Sequence, residues 1–102
     1  MKILIILTSL LFAGTSFAKD HKIDQKDRKF SITEITINKG DTITFTNSDK
    51  VTHNVFSVSD AVKFDLKTQK PGSSSTVKFD KAGKGEVRCA IHPKMKLKLT
   101  VK

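Results

Sequence analysis

From Phe30 onward the chain alternates apolar and polar residues in twos, with turn residues at short intervals. A strand sends successive side chains to opposite faces, so this period builds half-buried strands and leaves little room for an amphipathic helix. The last segment is the plainest case: Leu97, Leu99 and Val101 share one face, and Lys96, Lys98, Thr100 and Lys102 the other. Thr42 to Asn47 turns Ile43 and Phe45 inward, and Val55 to Val58, Thr76 to Phe79 and Gly85 to Cys89 add further short strands. Asn38-Lys-Gly-Asp41 and Lys81-Ala-Gly-Lys84 read as turns. Between Phe30 and Ile37 the apolar parity slips, which predicts a bulge near Thr33 and Glu34. Ser59 to Ser75 holds no steady period and reads as a long irregular stretch. Short strands joined in this way make an all-β sandwich or barrel.

The first 18 residues follow a different rule. Met1-Lys2 precedes the apolar run Ile3 to Phe12 and then Ala13-Gly-Thr-Ser16-Phe-Ala18, whose small residues suit signal-peptidase cleavage after Ala18. A transmembrane helix needs about 20 apolar residues, more than this run supplies. The expected organisation is a signal peptide over 1–18, a charged leader over 19–29 and one folded domain over 30–102, exported to the periplasm. No transmembrane segment is expected after cleavage. Cleavage leaves 84 of the 102 residues, with 18 basic and 10 acidic side chains, since Lys2 departs with the signal peptide.

A domain of that size has a thin core and often leans on a disulfide or a bound metal. Cys89 is the only cysteine, so an internal disulfide is excluded, and a lone thiol in an oxidising compartment is a liability unless something occupies it. Three residues on stands His92, and three further on Met95, with His53 upstream. A thiolate, two imidazoles and a thioether are the donors of a trigonal copper site with a weak axial Met. Strand parity supports their meeting. Cys89 shares a face with Val87, and Met95 precedes Leu97, Leu99 and Val101 in the same register, so both sulfurs point to the core side with His92 on the loop between. Taken singly, His53 reads as a structural histidine and Met95 as core filler. A Cys89–His92 nucleophile and base lacks a third group to orient the base. Structural zinc prefers paired cysteines and rarely takes Met. The set is therefore read as holding copper, with no enzymatic machinery beside it.

With these residues in place, the chain resembles the cupredoxins, the small type 1 blue copper proteins, over roughly Ile32 to Lys102. The spacing Cys89-x-x-His92-x-x-Met95 is similar to that of amicyanin and of plastocyanin-like methylamine-utilisation proteins. Thr52-His53-Asn54-Val55-Phe56-Ser57 resembles the first histidine segment, and Phe64-Asp65-Leu66 the stretch between the ligand segments. The resemblance implies a Greek-key β-sandwich with one copper ion at its upper end. It also implies that His53 is the buried histidine and that His92 reaches the surface through an apolar patch as the electron exit. By the same resemblance the Asn54 side chain ties the two ligand segments together and its backbone supports the thiolate. Val87 stands where many members have Tyr, and Lys96-Leu97 where many have Gly.

Two functions share these ligands: a one-electron carrier, or a periplasmic protein for copper storage or delivery. The net charge, +9 for the whole chain and 18 − 10 = +8 after cleavage, suits docking on a redox partner with an acidic surface, of the kind of a c-type cytochrome or a dehydrogenase. Nucleic acid is not expected, because export and the absence of Trp and Tyr leave no stacking platform. A metal-free basic adhesion module is the weaker third reading, and a monomer is the default state. His21 adds a separate question. After cleavage it stands third from the amino terminus, in Lys19-Asp20-His21, where amine, amides and imidazole can wrap Cu(II) or Ni(II); the alternative is a chance histidine in a disordered leader.

Overall fold

A computed structural model describes residues 17–102; most of the expected signal peptide lies outside the described residues. Among the described residues nine strands form two sheets. In chain order they are β1 (Asp20–Lys26), β2 (Lys29–Phe30), β3 (Glu34–Ile37), β4 (Thr42–Asn47), β5 (His53–Ser57), β6 (Phe64–Gln69), β7 (Ser74–Lys78), β8 (Gly83–Cys89) and β9 (Lys96–Val101). One sheet has the order β2-β1-β4-β7 and the other β3-β9-β8-β5-β6. Chain neighbours repeatedly change sheet, which gives the sandwich its Greek-key crossings. The pairs β1/β4 and β3/β9 are parallel.

The core lies between the sheets. Ile23, Ile43 and Phe45 from one sheet face Ile37, Val55, Val87, Leu97, Leu99 and Val101 from the other, all nearly or fully buried. Each such side chain contributes about 1.5–3 kcal/mol through its removal from water. Phe64 bridges the layer edge, stacked on Phe45 at 5.6 Å and edge-on to Phe79 at 5.7 Å.

Three expectations from the sequence are corrected. Residues 19–29 are not a detached charged leader: Asp20–Lys26 is a full strand of the sandwich, with Ile23 and Gln25 buried. Its charges concealed the pattern, because Asp20 and Asp24 lie on the outer face and bond the hydroxyls of Thr42, Thr44, Thr46 and Ser48. No bulge explains the parity slip after Phe30. Phe30 ends a strand of one sheet and Glu34 begins a strand of the other, so the chain crosses the sandwich at residues 31–33 and the inward direction reverses. The stretch 59–75 is also ordered. It holds a 3-10 turn over Asp60–Val62 and then β6, whose period is masked by a register shift against β5 and by Lys67 at φ 59°.

Buried amides cross-link the two sheets at one end. Gln25 Nε2 donates to Gln69 Oε1 at 2.7 Å, and Gln69 Nε2 to the Phe45 carbonyl at 3.1 Å. Asn47 Nδ2 reaches the carbonyls of Val51 and Gln69. Gln69 is the cross-strand partner of His53, so this network underlies that histidine.

Candidate metal centre

His53 opens β5, Cys89 closes β8, and the loop from Ala90 to Met95 carries the remaining candidates back to β9. Backbone bonds fasten the loop: the Ala90 amide donates to the Asn54 carbonyl at 3.2 Å, and the Met95 amide to the His92 carbonyl at 2.9 Å. The Asn54 amide donates to Cys89 Sγ at 3.2 Å, which supports a thiolate. The support to sulfur comes from the Asn54 backbone as expected, but the tie between the ligand segments does too: among the described residues the Asn54 side chain makes no hydrogen bond, and its carbonyl takes the role expected of the side chain.

Three donor atoms converge. His53 Nδ1 and His92 Nδ1 are 3.2 Å apart, and Cys89 Sγ lies 3.7 Å from the first and 3.8 Å from the second. The circle through a triangle with those sides has a radius of about 2.1 Å, the length of a metal–imidazole bond. His53 and Cys89 are buried and His92 is part-exposed. Met95 is buried in the same apolar cluster as Cys89.

The protonation pattern fits a cation. His53 Nε2 lies 2.9 Å from Asp49 Oδ2. A carboxylate only accepts, so Nε2 carries the proton and Nδ1 presents its lone pair to the triangle. Two nitrogens and a sulfur facing one another across less than 4 Å are unfavourable as lone pairs alone; an ion between them resolves the conflict. Burial above all, with the nearby cation of Arg28, pushes the His92 imidazole below its usual range toward the neutral form that can ligate. Two imidazoles and a thiolate, with a thioether close by in sequence, are donors for copper.

Asp49 is the residue that sequence reasoning missed. It accepts from His53, from the Arg28 amide at 2.8 Å and from the Lys50 amide at 2.8 Å, and these bonds hold its carboxyl down at about 2, the Arg28 amide contributing most. A polar residue four positions before a histidine, in a loop of polar residues, gives no signal of its own.

His21 is placed elsewhere. Its Nε2 lies 3.0 Å from Asp41 Oδ2, while Lys19 N donates to Asp41 Oδ1 at 2.9 Å. Asp20 and His21 pair with Thr42 and Ile43, and Thr42 donates to the Lys19 carbonyl. Wrapping amides 20 and 21 around a square-planar ion therefore requires β1 to peel from its sheet.

Comparison with known proteins agrees with this geometry. The sequence model of the copper-binding proteins of the plastocyanin/azurin family matches residues 18–102. The chain belongs to that family, and its fold and donor set make it a cupredoxin with one copper ion. It is 29% identical over 103 residues to the methylamine utilization protein MauL of Methylorubrum extorquens, covering 95% of this chain and 90% of that one. Among solved structures, a reduced amicyanin variant superposes with a TM-score of 0.71 at 28% identity, over 88% of each chain. A purple cupredoxin from Nitrosopumilus maritimus gives 0.71 at 24% identity, over 81% of this chain and all of that one, a likeness of fold.

Proposed function

We propose that the protein is an exported one-electron carrier whose copper is held by His53, Cys89 and His92, with Met95 as the weak axial ligand. The observation that carries this reading is the convergence of two imidazole nitrogens and one cysteine sulfur on a point about 2.1 Å from each. Copper bound there supplies one-electron chemistry. The protein's part is to hold the donors still. Asp49 fixes the tautomer and orientation of His53, the Asn54 amide supports the Cys89 thiolate, and strands β5 and β8 pair directly behind both, Val55 opposite Cys89. A donor set that does not rearrange lowers the cost of each electron. His92 is the exit, being the part-exposed member of the trio.

Storage or delivery uses the same residues. Burial of His53, Cys89 and Met95 favours retention, since an acceptor can reach the site only through His92. Cleavage after Ala18 would deliver the domain to the periplasm as a monomer, and among the described residues no helix is long and apolar enough to cross a membrane. The partner is a redox protein with an acidic surface, a c-type cytochrome or a dehydrogenase in kind. The test is to cycle the copper-loaded protein between oxidation states beside a Cu(I) chelator. A carrier keeps its copper through both states; stoichiometric loss of Cu(I) would instead identify a delivery protein.

A further inference from the structure

Lys26 and Lys29 pair across a two-residue turn, Asp27-Arg28, with φ of 52° and 56°. Hairpins with positive φ at both central residues favour Asn-Gly or Asp-Gly, because glycine has no Cβ to resist the left-handed region. Asp27 suits the first position. Arg28 stands where glycine is preferred and strains the backbone. Strain of this kind persists where the side chain has a task that offsets it.

The backbone does not explain the arginine. Its amide donates to Asp49 Oδ2, a bond that glycine would make equally well. The side chain does something glycine cannot: with Ile91, His92, Pro93 and Lys94 it lines a hollow of about 280 Å3 over the part-exposed ligand. Ile91 is 53% exposed although large and apolar. The imidazole thus sits in an apolar floor flanked by two cations, Arg28 and Lys94. Among the described residues no ion pair engages the Arg28 guanidinium, and Asp49, which its amide reaches, is already committed to three donors.

We propose that Arg28 is the specificity-determining contact for the redox partner: its guanidinium takes a carboxylate on an acidic protein, seating that protein's apolar surface on Ile91 and Pro93 with His92 at the centre. A planar guanidinium binds carboxylate through two parallel hydrogen bonds, which fixes orientation as well as charge. This inference rests on the electron-carrier reading.

The test uses the copper-loaded mature protein and Arg28→Gly, with Arg28→Asn as a second variant because Asn also accepts positive φ. Lys78→Gln is the charge control. Lys78 pairs with Thr42, at the end of β4 away from His53. The reduced proteins are mixed with hexacyanoferrate(III), an anionic oxidant that takes one electron from the protein and becomes hexacyanoferrate(II), or with the cationic tris(phenanthroline)cobalt(III). The expected result for Arg28→Gly is a thermal midpoint raised by several degrees and an unchanged visible spectrum. Oxidation by hexacyanoferrate should be about three- to tenfold slower at low salt, with no slowing toward the cobalt complex. Lys78→Gln should behave as wild type with both. If Arg28→Gly and Arg28→Asn react with the anion as Lys78→Gln does, Arg28 is not the recognition contact. A wild type that reduces neither complex would overturn the carrier reading and this inference with it.

Discussion

Two histidine–aspartate pairs stand at opposite ends of β4, one on each side of a strand span of roughly 15–20 Å. His53–Asp49 is closed at 2.9 Å and His21–Asp41 at 3.0 Å. Both carboxyls are held at about 2, each with help from backbone amides. By pair geometry alone the two cannot be told apart. What separates them is the other ring nitrogen and its surroundings. His53 is fully buried and its Nδ1 faces Cys89 and His92; His21 leaves 19% of its side chain to solvent and stands outside the donor cluster. The same motif orients a proposed ligand at one end and fastens the first strand at the other.

Substitutions should pull the pairs apart. The largest effect is expected from His53→Ala, which removes a proposed ligand and should weaken Cu(II) binding by more than about 100-fold in a competition titration, whereas His21→Ala leaves binding and stoichiometry unchanged. A second copper equivalent lost in His21→Ala would show that the far pair also binds metal. Next in size, Asp49→Asn should cost about 10–100-fold in copper affinity by loosening the orientation of His53. Asp41→Asn should leave affinity alone and lower the thermal midpoint by several degrees. Copper affinity falling equally in both would erase the distinction.

Away from both pairs, a Cβ at Gly85 would run into the side chains of Val62 and Ser59, where the 3-10 turn lies on β8. Gly85→Ala should destabilise by about 1–3 kcal/mol on denaturant unfolding, with the copper spectrum intact. The smallest effect concerns pH. The folded carboxyl of Asp41 sits below the ordinary aspartate value of 3.8, at about 2. It therefore binds fewer protons folded than unfolded in this range. Its stabilisation is complete above about pH 4 and is lost as pH falls toward 2. Urea midpoints of the metal-free protein should fall less steeply over that window in Asp41→Asn than in wild type.

The legible part of the sequence was the part whose chemistry is local. Leu97, Leu99 and Val101 declared a strand, and Cys89, His92 and Met95 sit close enough in sequence to show their donor types together. Only His53 had to be brought from afar. What stayed hidden depended on neighbours distant in the chain. β1 looked like a solvated leader because Asp20 and Asp24 find their partners on β4, some 20 residues on. Asp49 acquires its role from Arg28 and His53 jointly, one on a hairpin and one on a strand of the other sheet. The sheet change after Phe30 imitates a bulge, since both reverse the inward parity.

The central claim is that His53, Cys89 and His92 form one copper centre while His21 and Asp41 do not. The most direct measurement is the visible spectrum of the mature protein loaded with one equivalent of Cu(II), alongside Cys89→Ser and His21→Ala. An intense thiolate-to-copper band, present in wild type and His21→Ala and absent in Cys89→Ser, is the expected result. A colourless wild type, or a band that survives loss of the thiol, would contradict the account.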